Sequence, residues 1–499
     1  MRIIDLIIFI AYLLGIVVFG ASFYRKNRPS ADYSTGSGSL PPWVVGLSIF
    51  ATYVSSISFL ALPGIAFSSN WNAFVLSLTI PFALLLAVKF FVPLYRSVGS
   101  PSAYTYMEQR FGVWARVYVA SCYLLTQIMR TATILYLLAL PLYVLLGWDM
   151  KWIILITGIS VLIYSNLGGI RAVAWTDAIQ AIILIAGAVA VLCFLIFSLP
   201  GGITQYFEVG KEYHKFGLGS FGYSLTESTF WVVFIYGLFI NLQNYGIDQN
   251  YVQRYMIAGN YKDAVSSVLG GGLLYIPVSL IFFLIGTGLF VYFQVYPDML
   301  PPTFREPGMS DSVFPYYIVR ILPAGLSGLL VASLFAAGMS TISTSLNSGS
   351  TVFLTDFYKR MKKSANEKES LRVLYLTSAL ITIFSIIISF FMIRAENILT
   401  LWWSLAGVFS GGMVGLFLLG FFSKKTKNVP AVIGVVAGLC VILWMSLSPV
   451  YFTGDMESFK SPFHNYLTIV FGTMTLFFTG FLLSLAASRE KKQDNSNLL

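Results

Sequence analysis

Charged side chains are scarce in this sequence. Asp, Glu, Lys and Arg make up 10% of its 499 residues, whereas a soluble domain carries roughly 25%. Hydrophobic residues make up 57%, and apolar runs of about 20 residues, each long enough to cross a bilayer as a helix, recur along the whole length. The composition excludes a soluble globular domain and predicts an all-α integral membrane protein that is embedded in lipid.

Histidine and cysteine are also rare, with two and three copies. Cys122, Cys193 and Cys440 lie far apart in separate apolar runs, so they form neither a disulfide framework nor the ligand spacing of a metal site. The sequence also lacks a phosphate-binding loop and a nucleophile elbow. We therefore predict that the protein is not an enzyme and uses no organic cofactor, and that any transport that it performs runs on ion gradients.

Thirteen apolar runs are predicted to span the membrane. They lie at 3–23, 43–66, 72–94, 115–147, 151–167, 174–198, 229–247, 264–294, 321–354, 371–393, 398–422, 429–448 and 464–487. The net charge of +10 collects after spans one, nine, eleven and thirteen, at 25–28, 359–363, 424–427 and 489–492. Because Lys and Arg accumulate on the cytoplasmic side, we predict a plasma (inner) membrane protein with its N-terminus outside and its C-terminus in the cytoplasm. This explanation of the basic residues leaves no reason to expect a nucleic-acid partner.

The second and seventh spans are polar where an ordinary span is apolar. The second contains Phe-Ala-Thr-Tyr-Val-Ser-Ser-Ile-Ser-Phe at 50–59, followed by Pro63-Gly64, and the seventh runs into Asn-Leu-Gln-Asn-Tyr-Gly-Ile-Asp-Gln at 241–249. Unwound backbone persists in a membrane only where it is buried in protein or lines a cavity, and its free carbonyls can then coordinate a cation. Because the two spans are five apart, we predict two five-helix units in inverted topology. A kink without function is the alternative at each break.

The densest polar cluster within a span is Ala-Ala-Gly-Met-Ser-Thr-Ile-Ser-Thr-Ser-Leu-Asn at 336–347. At about 100° per residue, Ser340, Thr341, Ser343 and Thr344 cover one arc of a helix. Buried hydroxyls cost free energy unless something polar uses them, and a hard cation such as Na⁺ prefers several oxygen ligands. The alternative is that these hydroxyls bond back to helical carbonyls or join neighbouring helices.

Two of the charged residues within the predicted spans bear on function. Arg130, inside the fourth span, costs at least ~2.5–3.5 kcal/mol to insert, so we expect it either to bind the carboxylate of a solute through paired hydrogen bonds or to pair with an internal acid. Asp177 opens the sixth span. It either caps the N-terminus of that helix or supplies a negative charge near the hydroxyl cluster.

Seven stretches together resemble the sodium:solute symporter family and, within it, the bacterial sodium/sialic acid symporters. They lie at 31–33, 43–46, 50–59, 168–177, 248–255, 336–347 and 407–415. The resemblance implies a LeuT-type fold, with two inverted repeats of five helices that include discontinuous helices. It divides the chain into an extra N-terminal helix, a first repeat, a second repeat with external loops, and two extra C-terminal helices with a short cytoplasmic tail, at 1–30, 31–200, 201–423 and 424–499.

The resemblance also implies ligands for one or two co-transported sodium ions. A main site would use three backbone carbonyls and two hydroxyls, from Ala51, Val54, Ala337, Ser340 and Thr341. A second site would use one carboxylate and three hydroxyls, from Asp177, Ser340, Ser343 and Thr344. Every one of these positions carries a suitable oxygen.

For the solute, the resemblance implies a pocket near the midplane of the membrane. Arg130 stands where a carboxylate-binding arginine is expected. A glutamine expected in the third span is Ser77, and an aromatic residue expected four positions earlier is Ala73; both changes enlarge the pocket and remove a contact. The other candidates for solute binding carry hydroxyl, amide or phenol groups and are Ser55, Ser56, Ser58, Asn241, Asn244 and Tyr245.

These patterns predict a Na⁺-coupled symporter that imports an anionic sugar such as sialic acid (N-acetylneuraminate) by alternating access and functions as a monomer. Symport of a neutral sugar or of a small organic carboxylate is the alternative. A sensor or a channel on the same fold is a further alternative. A sensor would be expected to carry an appended signalling domain, and a channel would need spans more hydrophilic than these.

Overall fold

A computed structural model describes residues 2–24, 29–36, 40–305, 309–393, 398–424 and 426–496. Within these ranges the regular structure is helical, apart from one isolated β-bridge between Leu40 and Ala258. The predicted all-α class is therefore confirmed. The basic cluster at 25–28 and Lys425, which were used to predict the cytoplasmic side, lie outside the described residues.

In the described part of the first half of the chain, eleven helices follow one another. They are α1 (Ile3–Ala21), α2 (Ser30–Thr35), α3 (Pro42–Tyr53), α4 (Ser56–Ser68), α5 (Val75–Leu78), α6 (Ile80–Leu86), α7 (Val92–Val98), α8 (Thr105–Phe111), α9 (Val113–Leu146), α10 (Met150–Phe197) and α11 (Gly202–Glu212). A 3₁₀ turn at Asn72–Phe74 precedes α5, and a π-helical turn at Ala87–Phe91 joins α6 to α7.

The described part of the second half contains ten helices. They are α12 (Phe230–Ile247), α13 (Gln249–Ile257), α14 (Tyr261–Val295), α15 (Ser310–Arg320), α16 (Leu326–Val352), α17 (Lys359–Met361), α18 (Glu367–Met392), α19 (Ile398–Phe422), α20 (Asn428–Tyr451) and α21 (Leu467–Ser496). A π-helical turn at Phe353–Tyr358 joins α16 to α17.

The predicted number of thirteen spans is not confirmed. Among the described residues, ten helices are long and apolar enough to cross a bilayer, or eleven if the bent pair α3 and α4 counts as one span. Two predicted spans, 151–167 and 174–198, fall on the 48-residue helix α10. Gly169, with φ 62° and ψ −161°, kinks this helix, and only glycine adopts such a conformation without strain. In α19, the segment Phe409–Phe422 is a shorter apolar helix.

Both predicted discontinuities are present. α3 ends at Tyr53, Val54 and Ser55 have extended backbones, and α4 continues at an angle of 55°. α12 ends at Ile247, and Asp248 is extended before α13 begins. Each second half starts with a side-chain cap, since the Ser55 hydroxyl accepts from the Ser58 amide and the Asp248 carboxylate accepts from the Asn250 amide, which satisfies helical N–H groups left free by the break.

The second half of the first broken span includes the predicted Pro63-Gly64 pair. Pro63 lies inside α4 and does not interrupt it, so the break is confined to the polar stretch eight residues earlier. Gly64 has a packing role, because a Cβ atom there would meet the Asp311 backbone of α15 at 3.1 Å.

Helix α16 occupies the centre of the molecule. It packs against α10, α9, α18 and α1, and nearly every residue from Ser327 to Val352 is buried. The carboxylate of Asp5 on α1 caps this helix, with Oδ1 accepting from the amides of Gly325 at 2.7 Å and Gly328 at 2.9 Å. The polar face of α16 is therefore enclosed by protein on all sides.

A lysine in the loop between α11 and α12 contacts the C-terminal end of the broken span α3–α4. Lys215 donates from Nζ to the carbonyls of Phe67 at 2.8 Å and Ser69 at 3.0 Å, at the end of α4. The same ammonium lies 3.8 Å from the centroid of the Phe290 ring. Burial lowers the pKa of Lys215 to about 8. The loop between α11 and α12 is thereby connected to the end of α4.

Candidate cation and solute sites

Five oxygens converge where α16 passes the break between α3 and α4. The Ser340 hydroxyl lies 3.2 Å from the Ala51 carbonyl and 3.0 Å from the Ala337 carbonyl. The Thr341 hydroxyl lies 3.5 Å from the Val54 carbonyl and 3.1 Å from that of Ala337. These are the five residues that the sequence resemblance implied for a main sodium site, and the fold brings all of them together.

The spacing of these oxygens suits a cation of sodium size. Ca²⁺, an ion of similar radius, binds oxygens at about 2.3–2.6 Å, so neighbouring ligands at right angles lie about 3.4 Å apart. Two of the three carbonyls are available because α3 ends here and the last carbonyls of a helix have no helical N–H partner. The arrangement offers neutral oxygens only, which suits a monovalent ion better than a divalent one because no ligand charge offsets that of the cation.

The four residues implied for a second site also lie together. Ser343 is fully buried, and its hydroxyl donates to the Ser340 carbonyl at 3.0 Å. Asp177 is fully buried, and its Oδ2 accepts from the Ser48 hydroxyl at 2.6 Å. Asp177 lies well inside α10, beyond the kink at Gly169, and its carboxylate reaches side chains instead of the first amides of a helix. Of the two roles predicted for Asp177, the helix cap is therefore wrong.

Sequence reasoning missed the partner of this carboxylate. Arg254 on α13 is completely buried and forms a salt bridge with Asp177, with Nη2 2.8 Å from Oδ2. The same nitrogen donates to the Thr344 hydroxyl at 2.6 Å, and Nε donates to the Ser48 hydroxyl at 2.7 Å. The signal was an arginine in a polar stretch directly after a broken span, where an unpaired buried charge is not tolerated. Arg254 thus contacts two of the four residues implied for the second sodium site, Asp177 and Thr344.

Arg130 lies beside the break of the second span. Its Nη2 donates to the Thr52 carbonyl at 3.2 Å, and within the described part of the chain it forms no salt bridge. The nearest acid in electrostatic terms is Asp248, whose carboxylate interacts with both Arg130 and Arg254. The guanidinium is partly exposed, so it has further donors for an anionic ligand.

Several predicted solute-binding residues surround the two breaks. Ser55 and Ser56 are buried at the start of α4 and Ser58 is partly exposed. The Ser56 and Tyr245 hydroxyls are buried and have no hydrogen-bond partner among the described residues, and Asn244 lies beside the Tyr53 hydroxyl. Buried polar groups normally find a partner, so these hydroxyls are candidates for contacts with a polar ligand or with water.

Three residues predicted to bind the solute are not free to do so or lie away from the breaks. Two of them hydrogen-bond to other helices, and the third lies in the turn before α5. Asn241 donates to the Leu76 carbonyl at 3.1 Å and to the Thr79 hydroxyl at 2.9 Å, and it accepts from the Tyr53 hydroxyl. The Ser77 hydroxyl is 2.8 Å from that of Ser279 on α14. Ala73 lies in the 3₁₀ turn before α5 and is partly exposed. Asn241 and Ser77 therefore hold helices together.

Aromatic residues that sequence reasoning did not select enclose the same region. Tyr53 stacks on Tyr245 with ring centroids 5.6 Å apart, and Tyr275 lies 4.3 Å from Tyr53. Gln243 donates to the Ser410 hydroxyl of α19 at 3.0 Å. These side chains come from four different helices, so only their tertiary arrangement reveals them. Tyr53 and Tyr245 lie at the ends of α3 and α12, next to the two breaks.

The structure combines two discontinuous membrane helices, a buried oxygen cluster at one of them and a guanidinium beside that cluster. This combination is typical of cation-coupled secondary transporters. The model of the sodium:solute symporter family matches residues 33–438. The chain belongs to this family. It is a multi-pass membrane transporter and not an enzyme.

Individual proteins support the same assignment. The sodium/sialic acid symporter NanT of Aliivibrio fischeri is 33% identical over 439 residues, which cover 87% of this chain and 86% of that protein. The sodium/sialic acid symporter SiaT of Proteus mirabilis is 35% identical over 437 residues, which cover 87% of each chain. A solved Na⁺-coupled sialic acid symporter, in a substrate-bound outward-open state with a novel Na⁺ site, superimposes with a TM-score of 0.89 at 31% identity and covers 97% of this chain and 98% of that one.

Proposed function

We propose that the protein couples sodium entry to the import of an anionic sugar of the sialic acid type. One observation carries the proposal. Arg130 donates to the Thr52 carbonyl. Thr52 directly follows Ala51 and precedes the break at Val54, and the carbonyls of Ala51 and Val54 both belong to the five-oxygen cluster. A carboxylate on Arg130 and a cation among the five oxygens would therefore act on the same end of α3. The similarity to two named sodium/sialic acid symporters supports this solute class.

We propose Ala51, Val54, Ala337, Ser340 and Thr341 as ligands of the main sodium ion. A second ion is proposed at the Asp177 carboxylate, with the hydroxyls of Ser340, Ser343 and Thr344 around it. The novel Na⁺ site of the solved sialic acid symporter supports a site beyond the main one. Two ions for each monovalent solute anion make one cycle carry one net positive charge, so the membrane potential assists import by about 2.3 kcal/mol per 100 mV.

The mechanism that we propose is alternating access. Sodium joins α16 to the ends of α3 and α4, which favours the outward-open state and completes the solute pocket between the two broken spans. Coupling follows only if sodium has a higher affinity for the solute-competent state than for the other. Solute binding then allows one helix bundle to rock against the other and both ligands leave towards the cytoplasm.

The finer topology is also a proposal. Thirteen spans follow if α3 with α4 is one span, α10 is divided at Gly169 and α19 crosses the membrane. The repeats at 31–200 and 201–423 then each contain a broken first helix. An odd number of spans puts the two termini on opposite sides of the plasma (inner) membrane, and the basic residues at 359–363, 424–427 and 489–492 favour a cytoplasmic C-terminus and an N-terminus outside, because Lys and Arg accumulate on the cytoplasmic side. We further propose that a monomer suffices, because both cation sets and Arg130 come from a single chain.

A neutral sugar or a small organic carboxylate is the second candidate for the solute. The observation in its favour is the pair of small side chains, Ala73 and Ser77, at positions where larger contacts are expected in sialic acid symporters. The Ser77 hydroxyl is in addition hydrogen-bonded to that of Ser279, so it does not replace the contact with the solute that a glutamine would make at this position.

The experiment that separates these solutes compares N-acetylneuraminate with its uncharged methyl ester in equilibrium binding to the purified protein. Wild type is expected to prefer the acid, since hydrogen bonds to charged groups contribute about 1.5–3 kcal/mol. Arg130→Gln is expected to weaken binding of the acid by about 10- to 100-fold and to leave that of the ester nearly unchanged.

Arg96→Gln is the matched control for this experiment. Arg96 also donates to backbone carbonyls, but these belong to Tyr255 and Ala258 at the C-terminal end of α13 and not to the break between α3 and α4, so the preference for the acid should persist. Equal binding of acid and ester by wild type would contradict a carboxylate solute on Arg130 and leave the neutral sugar as the better candidate.

A further inference from the structure

Two buried acceptor oxygens without partners lie one turn apart on α10. Asp177 and Gln180 are 0% and 1% exposed. Oδ1 of Asp177 and Oε1 of Gln180 have no hydrogen-bond partner among the described residues. A carboxylate oxygen and an amide oxygen can only accept, so they cannot satisfy one another. Leaving two such oxygens unpaired in the interior is costly, which indicates that a donor or a cation belongs between them.

The two oxygens face a common space. Residues three apart lie on the same side of a helix, and the Tyr164 phenol interacts with Asp177, Gln180 and Ser343 together. Gln180 is held by its other atom, since Nε2 donates to the Tyr12 hydroxyl of α1 at 3.2 Å. The Tyr164 hydroxyl donates to the Met339 carbonyl of α16 at 3.1 Å, so this phenol is not a free donor for either oxygen.

Arg254 leaves only one side of the Asp177 carboxylate open. The guanidinium and the Ser48 hydroxyl both contact Oδ2, and the guanidinium also occupies the Thr344 hydroxyl. Oδ1 has no hydrogen-bond partner among the described residues. The carboxylate therefore has a cationic side chain on one oxygen and an unsatisfied acceptor on the other.

We propose that the second sodium ion is bound on the Oδ1 side of Asp177 and that the amide oxygen of Gln180 is one of its ligands, with Ser340 and Ser343 completing the set. This inference rests on the second ion of the proposed function and assigns it a ligand that neither the sequence resemblance nor the comparisons supply. Thr344 belongs to Arg254 in this arrangement. Because Arg254 already neutralises much of the carboxylate charge, the site suits a monovalent hard cation that must bind and leave in every cycle.

The test is equilibrium binding of radioactive Na⁺ to the purified full-length protein without solute, in the Thr341→Ala background, which weakens the main site and isolates the second. Gln180→Met keeps the length of the side chain and removes the oxygen, and it should raise the Kd for the second ion at least about tenfold. Gln180→Glu offers carboxylate oxygens at the same place and should lower that Kd. Thr382→Val removes a hydroxyl that bonds the Ser378 carbonyl of its own helix and belongs to no candidate site, so it should leave the Kd within about twofold.

Three results would overturn the inference. Unchanged binding in Gln180→Met would exclude Gln180 as a ligand, and if that variant does not fold, an unchanged Kd in Gln180→Glu would do the same. Loss of the ion in Thr344→Val with retention in Gln180→Met would return the ion to the opposite side of the carboxylate. A single ion per wild-type protein would contradict the second site itself, whereas symport is judged separately by uptake, so the two failures are distinguishable.

Discussion

Single hydroxyl groups on α16 serve two partners at once. Ser340 and Thr341 each donate to the Ala337 carbonyl of their own helix, at 3.0 and 3.1 Å. A hydroxyl has one proton and two acceptor lone pairs, so this donation leaves lone pairs for a cation. The two interpretations that the sequence left open, back-bonding to the helix and cation ligation, are therefore compatible at the same residue.

Thr341→Ala tests the main site at the scale of one atom. Removing the hydroxyl leaves the Val54 and Ala337 carbonyls without this neighbour, and one of the five oxygens is lost. We expect the Na⁺ concentration that gives half-maximal uptake to rise at least about tenfold, which corresponds to about 1.4 kcal/mol, with the amount of folded protein unchanged.

The control for this variant is Thr382→Val on α18. The Thr382 hydroxyl also bonds a carbonyl of its own helix, that of Ser378 at 2.9 Å, but it belongs to no candidate site. Its sodium dependence should match that of wild type. An unchanged half-saturation concentration in Thr341→Ala would remove Thr341 from the site.

At the residue scale, sequence reasoning identified which residues carry potential ligand atoms more successfully than it identified their hydrogen-bond and ion-pair partners. The hydroxyls of α16 were conspicuous in an apolar span, and the resemblance to the symporter family implied the three backbone carbonyls that join them. Sequence reasoning did not foresee that Asn241 is held by Leu76, Thr79 and Tyr53, or that Arg254 pairs with Asp177. These partners are far apart in sequence, and only the tertiary fold brings them into contact.

At the scale of elements, the sequence predicts the existence of a break in a span more readily than the position of that break. Polar residues at the centre of the second and seventh spans predicted both discontinuities. The break falls at Val54, although Pro63 is the stronger helix breaker. Polar residues near Val54 find partners on α16, whereas Pro63 lies in a half-helix that packs tightly against α14 and α15.

A partly buried ion-pair cluster connects four elements of the structure, α8, α9, α17 and the π-helical turn after α16. Asp356, in the π-helical turn after α16, is 2.5 Å from Arg116 of α9 and accepts from the Ser102 hydroxyl. Arg116 also contacts Glu108 of α8 at 2.7 Å, and Glu108 in turn pairs with Arg360. The cluster fixes the end of α16 to α8 and α9 and so helps to hold the helix that carries the cation ligands.

Arg116→Met is expected to destabilise the protein strongly. It leaves the fully buried Asp356 carboxylate without its cation, a change that typically costs 3–5 kcal/mol. The double variant Arg116→Met with Asp356→Leu removes both charges and should recover most of the loss. Thermal unfolding in detergent measures both effects.

The exposed pair of Glu457 and Lys460 is the control for this prediction. Its nitrogen and oxygen are 2.9 Å apart, but surface pairs contribute little, so Lys460→Met should leave the unfolding temperature unchanged. A stable Arg116→Met, or a double variant that is less stable than the single one, would contradict the role of the cluster.

At the scale of the whole molecule, composition was sufficient for the class and motifs for the family. Hydropathy counts apolar runs, so it separated 151–167 from 174–198, and the non-helical backbone of Gly169 lies between these two segments of α10. Hydropathy also gave no information on how deeply each helix is buried within the bundle. The position of α16 at the centre, with a polar face enclosed by four helices, follows from packing between elements and cannot be obtained from any one of them.

Coupling is a property of the whole molecule because the cation and solute sets use the same break. The last residues of α3 contact α16 through Ser340 and Thr341 and contact α9 through Arg130. A change in the angle between α3 and α4 would therefore separate the oxygens of the cation site and move the solute residues at the same time. This shared element is the physical basis on which a sodium gradient could drive a solute uphill.

The most direct test of this account is uptake of N-acetylneuraminate into proteoliposomes that contain the purified wild-type protein, under an inward Na⁺ gradient and, in parallel, an equal K⁺ gradient. The account predicts accumulation above the external concentration with Na⁺, its collapse when an ionophore dissipates the gradient, and none with K⁺. Equal uptake with K⁺ would contradict sodium coupling. Sodium-dependent uptake of other solutes alone would contradict the proposed anionic sugar.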